Sequence, residues 1–421
     1  MSILTIVALL AVVVSCAQES SEVRLPSADS IVHTSFERTI GEMSTAALAG
    51  QLLLIGLENP STGGAPTTLN GGIADMLAQV QPGGFVLYGP SFESPGQVRQ
   101  LISDAQKYLA TPGFVATDYE GGQVSRLTDT GGIPATPIPT ARSLGRRLES
   151  GAIGADRLRA LGSLMGRELR ALGLTMNFAP VVDVDPEGFV GAIGRHGRSF
   201  SSDPGLVVTA ALSLIEGMEA EGVASIAKHF PGHGGVVEDS HFALPTLEAS
   251  REQLDARELA VFSSVIAQTP AGIMTAHMVV PALDASATPA TLSRPMLASL
   301  AREQMGFRGL IVTDALNMAA IRDLAPESEI VVQAVAAGAD LLLKPVDPIA
   351  AHAALVRAID DGSLDRKAVE SSVYRILQAK WSFGILDPFR RTRFPIDVDV
   401  IGSQAHRQLV NEIMQAQEHN Q

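Results

Sequence analysis

Residues 228–245, KHFPGHGGVVEDSHFALP, bring basic, imidazole and carboxylate side chains together on a stretch rich in glycine and proline. Asp239 and His241 lie two residues apart, so the carboxylate can fix the imidazole tautomer and stabilise its cation. Such a pair is a competent general acid or base near neutral pH. A metal site or a loop that is merely polar are the alternatives, although no His-x₃-His pair on a helix supports a metal.

Two further segments place a carboxylate directly after an apolar run. In GFRGLIVTDALNM (306–318), Asp314 follows LIVT, where partial burial would leave its charge in need of a partner or a function. A helix N-cap is the plainer interpretation. In ATDYEGGQVSRL (116–127), Asp118 can accept hydrogen bonds from sugar hydroxyls and Arg126 can donate, although this segment alone could be an ordinary turn.

The elements that must position these side chains are short apolar runs separated by stretches with helical spacing. The runs are Gln51–Leu57, Gly84–Tyr88, Phe114–Thr117, Thr175–Phe178, Val223–Ala227, Gly272–Ala276, Leu310–Thr313 and Ala339–Leu343. The helical stretches include Pro95–Leu109, Ala155–Leu172, Pro204–Glu221, Arg251–Ala267 and Arg294–Gln304. Alternating strands and helices imply parallel pairing through right-handed crossovers, so the sequence predicts an α/β fold, a (β/α)₈ TIM-like barrel. No GxGxxG follows the first run, which argues against a dinucleotide-binding sheet.

A barrel places its chemistry at the carboxyl ends of its strands. Polar residues follow the apolar runs at just these points: Asp118, Lys228-His229, His277, Asp314 and Lys344. We therefore expect one site, built from several strand ends.

Composition excludes several other classes of function. The 421 residues are 46% hydrophobic and carry a net charge of −14, which predicts a large core and disfavours binding to nucleic acid. The only tryptophan is Trp381, so an aromatic platform for single strands is not evident. Cys16 is the only cysteine, which rules out an internal disulfide and a cysteine-based metal site.

The N-terminus has the pattern of an export signal. Residues 3–14, ILTIVALLAVVV, are shorter than a bilayer span and fit the apolar region of a signal peptide. They lead into Val13-Val14-Ser15-Cys16, which resembles a bacterial lipoprotein signal, although residues 1–4 lack the usual positive charge. In that class Cys16 would be lipidated, and the protein would be exported and anchored to a bacterial membrane. A simple signal peptide with an incidental cysteine is the alternative. Residues 17–40 would then be a polar tether.

Taken together, the three segments resemble glycoside hydrolase family 3, most closely its β-N-acetylglucosaminidases of peptidoglycan turnover. NFAPVVDVDP (177–186) and GRSFSSDP (197–204) match two further family segments. KHFPGHG followed by D-S-H distinguishes this subgroup from the family's β-glucosidases, which take their acid from a second domain. The resemblance covers roughly residues 42–387. It predicts a barrel over 41–387 and, over 388–421, a tail whose residues 401–417 resemble the helix preceding the second domain of larger members. A single domain without the second α/β sandwich is expected.

The resemblance also implies roles for individual residues. Asp314 would be the nucleophile and His241 the acid/base, polarised by Asp239. The residues that would grip the sugar are Asp118, Arg126, Arg198, Lys228 and His229. Arg195 is a rival to Arg198 because the segment before it, IGRHGRSF, is longer than usual, and Gln123 replaces a frequent arginine.

The implied reaction is retaining removal of terminal β-linked N-acetylglucosamine, with muropeptides as substrates and without metal or organic cofactor. The expected partner is a carbohydrate, with membrane contact through the N-terminal lipid only, no nucleic acid and a monomeric state. Phosphorolysis, a β-glucosidase and a non-catalytic muropeptide-binding lipoprotein are the alternatives.

Overall fold

The structure, a computed structural model, describes residues 28–58, 64–128, 131–188, 191–240, 242–268, 270–386 and 397–416. At its centre are eight parallel strands: β1 Leu53–Gly56, β2 Gly84–Val86, β3 Phe114–Thr117, β4 Met176–Asn177, β5 Ala224–Phe230, β6 Gly272–Thr275, β7 Leu310–Val312 and β8 Leu342–Leu343. Each overlaps one of the predicted apolar runs. The strands are buried throughout because helices cover the sheet, which explains why they are continuous apolar runs rather than alternating ones.

The strands form a ring. Their order is β8-β1-β2-β3-β4-β5-β6-β7, with every neighbouring pair parallel. A parallel bridge between Val312 and Leu341 joins the two ends, and the Thr313 amide donates to the Leu341 carbonyl at 2.9 Å. The predicted (β/α)₈ barrel is therefore confirmed.

Helices alternate with the strands. They are α1 Ala28–Glu42, α2 Thr45–Gln51, α3 Gly71–Val80, α4 Pro95–Gln106, α5 Ala141–Glu149, α6 Ala155–Leu172, α7 Pro204–Ala220, α8 Arg251–Ala256, α9 Glu258–Ala267, a π-helix Pro295–Gln304, α10 Ala319–Arg322, α11 Glu327–Ala337, α12 Pro348–Asp360, α13 Arg366–Ser382 and α14 Gln404–Gln415. The residues at the start of α7 explain why the helix begins there. Asp203 caps the helix by accepting hydrogen bonds from the amides of Gly205 and Leu206, and Pro204 occupies the first helical position. The predicted helix Arg251–Ala267 is interrupted at Arg257, whose φ of −123° and ψ of −81° are not helical.

Residues 28–40, which the sequence analysis assigns to a polar tether, belong to helix α1 in the structure. Phe36 and Ile40 are buried, and Val32, one turn earlier, packs against the same core. The Phe36 ring meets the rings of Tyr374 and Trp381 on α13 edge-on, with both centroids 6.3 Å away. An apolar stripe at four-residue spacing therefore docks α1 onto the barrel, although most of its other residues are polar.

We expect Phe36→Ala to destabilise the folded protein by about 3 kcal/mol, because it leaves a cavity against two aromatic rings. Urea unfolding measures the change. Glu37→Ala, exposed on the same helix, is the matched control and should leave stability nearly unchanged. Equal stability of the two variants would mean that α1 is a loose tether after all.

The C-terminal helix α14 lies within the segment 401–417 and contacts α6. Buried Glu168 of α6 accepts from His406 Nδ1 and from the Gly402 amide, each at 2.9 Å. The same carboxylate receives the Tyr119 hydroxyl at 3.2 Å, and Tyr119 lies directly after the strand-end Asp118. The tail is thus joined to the segment that follows β3.

None of the helices in the described ranges is both long and apolar enough to cross a membrane. The predicted signal peptide and its Cys16 lie outside the described residues.

Candidate active site

A cleft of about 360 Å³ opens at the carboxyl ends of the strands. All five residues predicted to grip a sugar line it: Asp118, Arg126, Arg198, Lys228 and His229. The predicted nucleophile and the carboxylate of the predicted dyad, Asp314 and Asp239, line the same cleft. Parallel pairing brings these residues together from positions nearly 200 apart in the chain.

One wall of the cleft is a network of four charges. Lys228 Nζ, at the end of β5, lies 2.8 Å from Asp118 Oδ1 and 2.6 Å from Glu120 Oε1. Arg198 holds the same Glu120 with two hydrogen bonds, from Nε at 2.8 Å and from a terminal nitrogen at 2.7 Å. A short hairpin, Tyr119–Gly121 with Val124–Ser125, follows β3 and carries Glu120. The network leaves two carboxylates and two cations fixed at the edge of the cleft.

Glu120 is one of the residues of the cleft that the sequence prediction did not assign to the site. Asp118 and Glu120 are separated by one residue, so an extended chain presents both side chains on the same face. This spacing of two acidic residues could have identified Glu120 as a site residue from the sequence. Burial alone would raise the pKa of Glu120, but Arg198 and Lys228 hold it far below its usual range. The carboxylate is therefore a permanent hydrogen-bond acceptor at neutral pH.

We expect Lys228→Met to cost about 3–5 kcal/mol of stability at pH 7, because it removes the buried cation shared by Asp118 and Glu120 and leaves Glu120 with Arg198 alone. The depressed pKa of Glu120 stabilises the folded wild type above the unfolded pKa of about 4.3, and that contribution is lost as the pH falls. Because the folded pKa of Glu120 is far lower, this loss occurs mainly below about pH 4, so the penalty of the variant should be smaller at about pH 3 than at pH 7.

Urea unfolding at both pH values measures this penalty. Lys107→Met, which breaks an exposed lysine–aspartate pair of 2.7 Å, is the matched control and should change little at either pH. A penalty for Lys228→Met that is no larger than the control's, or that grows in acid, would contradict the expectation.

A second network, of hydrogen bonds to a buried carboxylate, holds the His229 ring. His229 Nδ1 lies 2.7 Å from Asp183 Oδ2, and Asp183 also accepts from the His233 amide at 2.6 Å. Asp183 is buried in the segment after β4 and was not predicted as a site residue; its signal was an acidic residue within the apolar run PVVDV. Because Asp183 takes Nδ1, it leaves Nε2 as the free nitrogen of the His229 ring to face a ligand.

His233, in the loop after β5, also lines the cleft. Burial and the neighbouring His229 lower the pKa of His233 to about 4, so its imidazole is neutral near pH 7.

Asp314 follows β7 and is partly exposed to the cleft. Its Oδ1 accepts from the Ala315 amide at 2.8 Å. Burial by itself would raise the pKa of Asp314, but His277, His229, the Ala315 amide and Lys228 together lower it below the usual value. A carboxylate that is ionised, partly desolvated and directed by one backbone amide can act as a nucleophile.

Part of the segment after β5 that precedes the predicted acid/base lines the same cleft as Asp314. Asp239 and Ser240 line the cleft, and the Asp239 carbonyl accepts from the amides of Phe242 and Ala243 at 2.9 and 3.2 Å. His241, the acid/base itself, lies outside the described residues.

The two candidate arginines, Arg198 and Arg195, have different surroundings in the structure. Arg198 lines the cleft and binds Glu120. Arg195 instead donates to the carbonyl oxygens of Gly191 and Val237. Gln123 replaces a frequent arginine of the resembled family. Its Oε1 accepts a hydrogen bond of 3.0 Å from Nδ1 of His196, another residue of the cleft.

The opposite wall of the cleft includes Tyr88 after β2 and Lys344 after β8. Lys344 Nζ lies 4.4 Å from the centre of the Tyr88 ring and 2.6 Å from Glu58 Oε1. Burial and the nearby Asp118 raise the pKa of Tyr88, so its phenol stays neutral. Across the described ranges, no group of three or more His, Cys, Asp or Glu side chains is arranged to hold a metal ion.

The sequence is similar to one protein-family model and to several named proteins. Residues 45–379 match the glycosyl hydrolase family 3 N-terminal domain. The chain is 31% identical over 407 residues to beta-hexosaminidase A of Pseudoalteromonas piscicida, covering 88% of this chain and 66% of that protein. It is 37% identical over 279 residues to a beta-hexosaminidase of Idiomarina loihiensis, covering 66% of this chain and 81% of the relative.

A solved structure is similar along most of the chain. It is a glycoside hydrolase family 3 β-N-acetylglucosaminidase from Paenibacillus sp. str. FPU-7, with a TM-score of 0.77 and 32% identity. The similarity covers 88% of this chain and 68% of that one. With the family domain matched from residue 45 to residue 379 and the barrel's cleft lined by the strand-end carboxylates, the chain belongs to glycosyl hydrolase family 3 and is a glycosidase.

Proposed function

We propose that the protein is a retaining β-N-acetylhexosaminidase that removes terminal, non-reducing β-linked N-acetylglucosamine. The observation that carries this proposal is Asp314: a low-pKa carboxylate, partly accessible, in a polar cleft whose volume of about 360 Å³ suits a single sugar ring with its substituents. The relatives named as hexosaminidases and as a β-N-acetylglucosaminidase support the choice of substrate.

The roles proposed for Asp314 and Asp239, which both line the cleft, define the first chemical step. Asp314 attacks the anomeric carbon, so a bond from that carbon to a carboxylate oxygen forms as the glycosidic carbon–oxygen bond breaks. The leaving oxygen takes a proton from His241, which Asp239 orients and stabilises as a cation. In the second step the neutral imidazole removes a proton from water, which attacks the same carbon and frees Asp314.

The charged wall of the cleft supplies the grip on the sugar. Asp118 and Glu120 are ready acceptors for hydroxyl hydrogens, and Lys228 and Arg198 are ready donors. Because these four groups already neutralise one another, a sugar enters an ordered site and does not have to organise it. The energy of binding the sugar is then not used to order these side chains and can stabilise the transition state.

Muropeptides are the natural substrates that we propose, on the basis of the KHFPGHG and D-S-H segments and their resemblance to enzymes of peptidoglycan turnover. The proposal is tested with protein lacking residues 1–16, on aryl β-N-acetylglucosaminide and aryl β-glucoside, each with and without phosphate. Faster release from the N-acetylglucosaminide, with free N-acetylglucosamine as product in both buffers, is the expected result.

Other products would identify other functions. A sugar 1-phosphate formed only in phosphate buffer would make the protein a phosphorylase, and preference for the glucoside would make it a β-glucosidase. Saturable binding of muropeptides without any turnover would identify a binding lipoprotein.

We also propose that the protein is exported and held at a bacterial membrane by a lipid on Cys16. Expressed in a bacterial host, the wild type should partition with membranes, and Cys16→Ser should be released or left unprocessed. Mass spectrometry of the N-terminal peptide gives the direct measurement. A soluble wild type that retains an unmodified Met1 is incompatible with the anchor.

A further inference from the structure

His277 lies on the strand next to the one that carries the nucleophile. It follows β6 by two residues, its side chain is fully buried, and it is not among the described residues that line the cleft. Its Nε2 lies 3.1 Å from the carbonyl oxygen of Ala315, the residue directly after Asp314. A carbonyl oxygen can only accept, so Nε2 carries a proton and donates it to Ala315.

The other side of the ring is held as well. His277 Nδ1 lies 2.7 Å from the Thr291 hydroxyl, which is 2.8 Å from the Thr275 hydroxyl. A hydroxyl donates to a neutral imidazole or accepts from a protonated one, so Thr291 fixes the ring in both charge states. The imidazole is therefore pinned at both nitrogens inside the barrel.

Ala315 connects this buried ring to the reacting carboxylate. Its carbonyl accepts from His277, and its amide donates to Asp314 Oδ1 at 2.8 Å. The Ala315 amide orients the Asp314 carboxylate, and His277, which follows β6, holds Ala315 in place. We propose, building on the hexosaminidase function above, that His277 is a positioning residue for the nucleophile and acts through Ala315.

The pKa of Asp314 agrees with this contact. Among the groups that lower the pKa of Asp314, His277 has the largest effect, ahead of His229 and Lys228. Burial keeps His277 away from the sugar, so its contribution reaches the reaction only through Asp314. Loss of the ring should therefore slow attack on the anomeric carbon and leave sugar binding intact.

The experiment compares His277→Ala, His277→Gln and Thr291→Val in the full chain with dinitrophenyl β-N-acetylglucosaminide. A nucleophile displaced by about 1 Å loses on the order of 10²-fold in rate, and we expect this loss in kcat for His277→Ala. Inhibition by free N-acetylglucosamine should stay within about twofold of the wild type. His277→Gln should recover much of the loss because its amide N–H can replace Nε2, and Thr291→Val should fall between the two.

A double variant separates positioning from general damage to the fold. Asp314→Ala should be inactive in buffer and should form the α-configured glycosyl azide when azide replaces the missing carboxylate. Adding His277→Ala to this background should change the azide-dependent rate by less than about threefold, because the residue it positions is already gone.

The possible outcomes lead to different conclusions. An equal loss from His277→Ala in both backgrounds would overturn the proposal and assign His277 to folding or sugar binding. Wild-type kcat in His277→Ala would overturn it as well. Full activity of Asp314→Ala would instead remove Asp314 as nucleophile, and a wild type without hexosaminidase activity would refute the proposed function itself. If His277→Ala does not fold, Thr291→Val decides: it should lower kcat without changing inhibition by the sugar, and wild-type kcat in Thr291→Val would overturn the proposal.

Discussion

Asp314→Ala should lower the turnover of aryl β-N-acetylglucosaminide by on the order of 10⁵-fold while the barrel stays folded. The side chain follows a buried strand and faces the cleft, where it accepts a hydrogen bond from the neighbouring Ala315 amide. Its removal deletes the group that forms the covalent intermediate, and it breaks no salt bridge among the residues that the structure describes. Steady-state release of the aryl alcohol, together with thermal unfolding, measures both halves of this expectation.

Asp361→Asn is a suitable control, because Asp361 is an exposed carboxylate at the end of α12, away from the cleft. It should retain wild-type turnover. Near wild-type activity in Asp314→Ala would require another carboxylate in the cleft as nucleophile, with Asp118 and Glu120 as the first to examine.

His241→Ala should lose activity in proportion to the difficulty of expelling the leaving group. Proton donation contributes about 10²- to 10⁴-fold, so disaccharides of N-acetylglucosamine should approach the upper value. Dinitrophenyl glycosides need no proton and should form the glycosyl-enzyme at nearly the wild-type rate. Because the second step then lacks its base, a burst of dinitrophenol followed by slow turnover is expected in rapid-mixing experiments.

Asp239→Ala provides the graded comparison for His241. The imidazole remains in this variant but loses the carboxylate that orients it, so the same pattern should appear in weaker form. Equal losses on disaccharide and activated glycoside in His241→Ala would mean that His241 serves binding or folding, and that the acid/base lies elsewhere.

The arrangement of strands was predictable from the sequence because eight short apolar runs alternate with stretches of helical spacing, and most of these runs are followed directly by a polar residue. Asp118, Lys228 and Asp314 each follow a run, and a parallel barrel brings all strand ends to one edge. The periodicity of the runs therefore also predicted which polar residues meet in the cleft.

The pairing of those residues was not predictable in the same way. Glu120 meets Arg198 only because the hairpin after β3 turns towards the segment after β4, and no local pattern specifies that approach. Asp183 supports His229 across neighbouring strands for the same reason. Helix α1 escaped prediction because its apolar positions, such as Phe36 and Ile40, are few, and their value depends on the rings of α13.

The pairing of β1 with β8 also sets an order in time. Leu53 and Leu54 of β1 pair with Leu342 and Leu343 of β8. One edge of β1 therefore stays unpaired during synthesis until β8, almost 300 residues later, has been made. Until then a growing sheet carries an open edge that other chains can pair with. The cleft is completed just as late, because Asp314 and Lys344 belong to the last two strands while Asp118 belongs to the third. A nascent chain therefore cannot hold its sugar until the ring has closed, and ring closure and the onset of activity become one event.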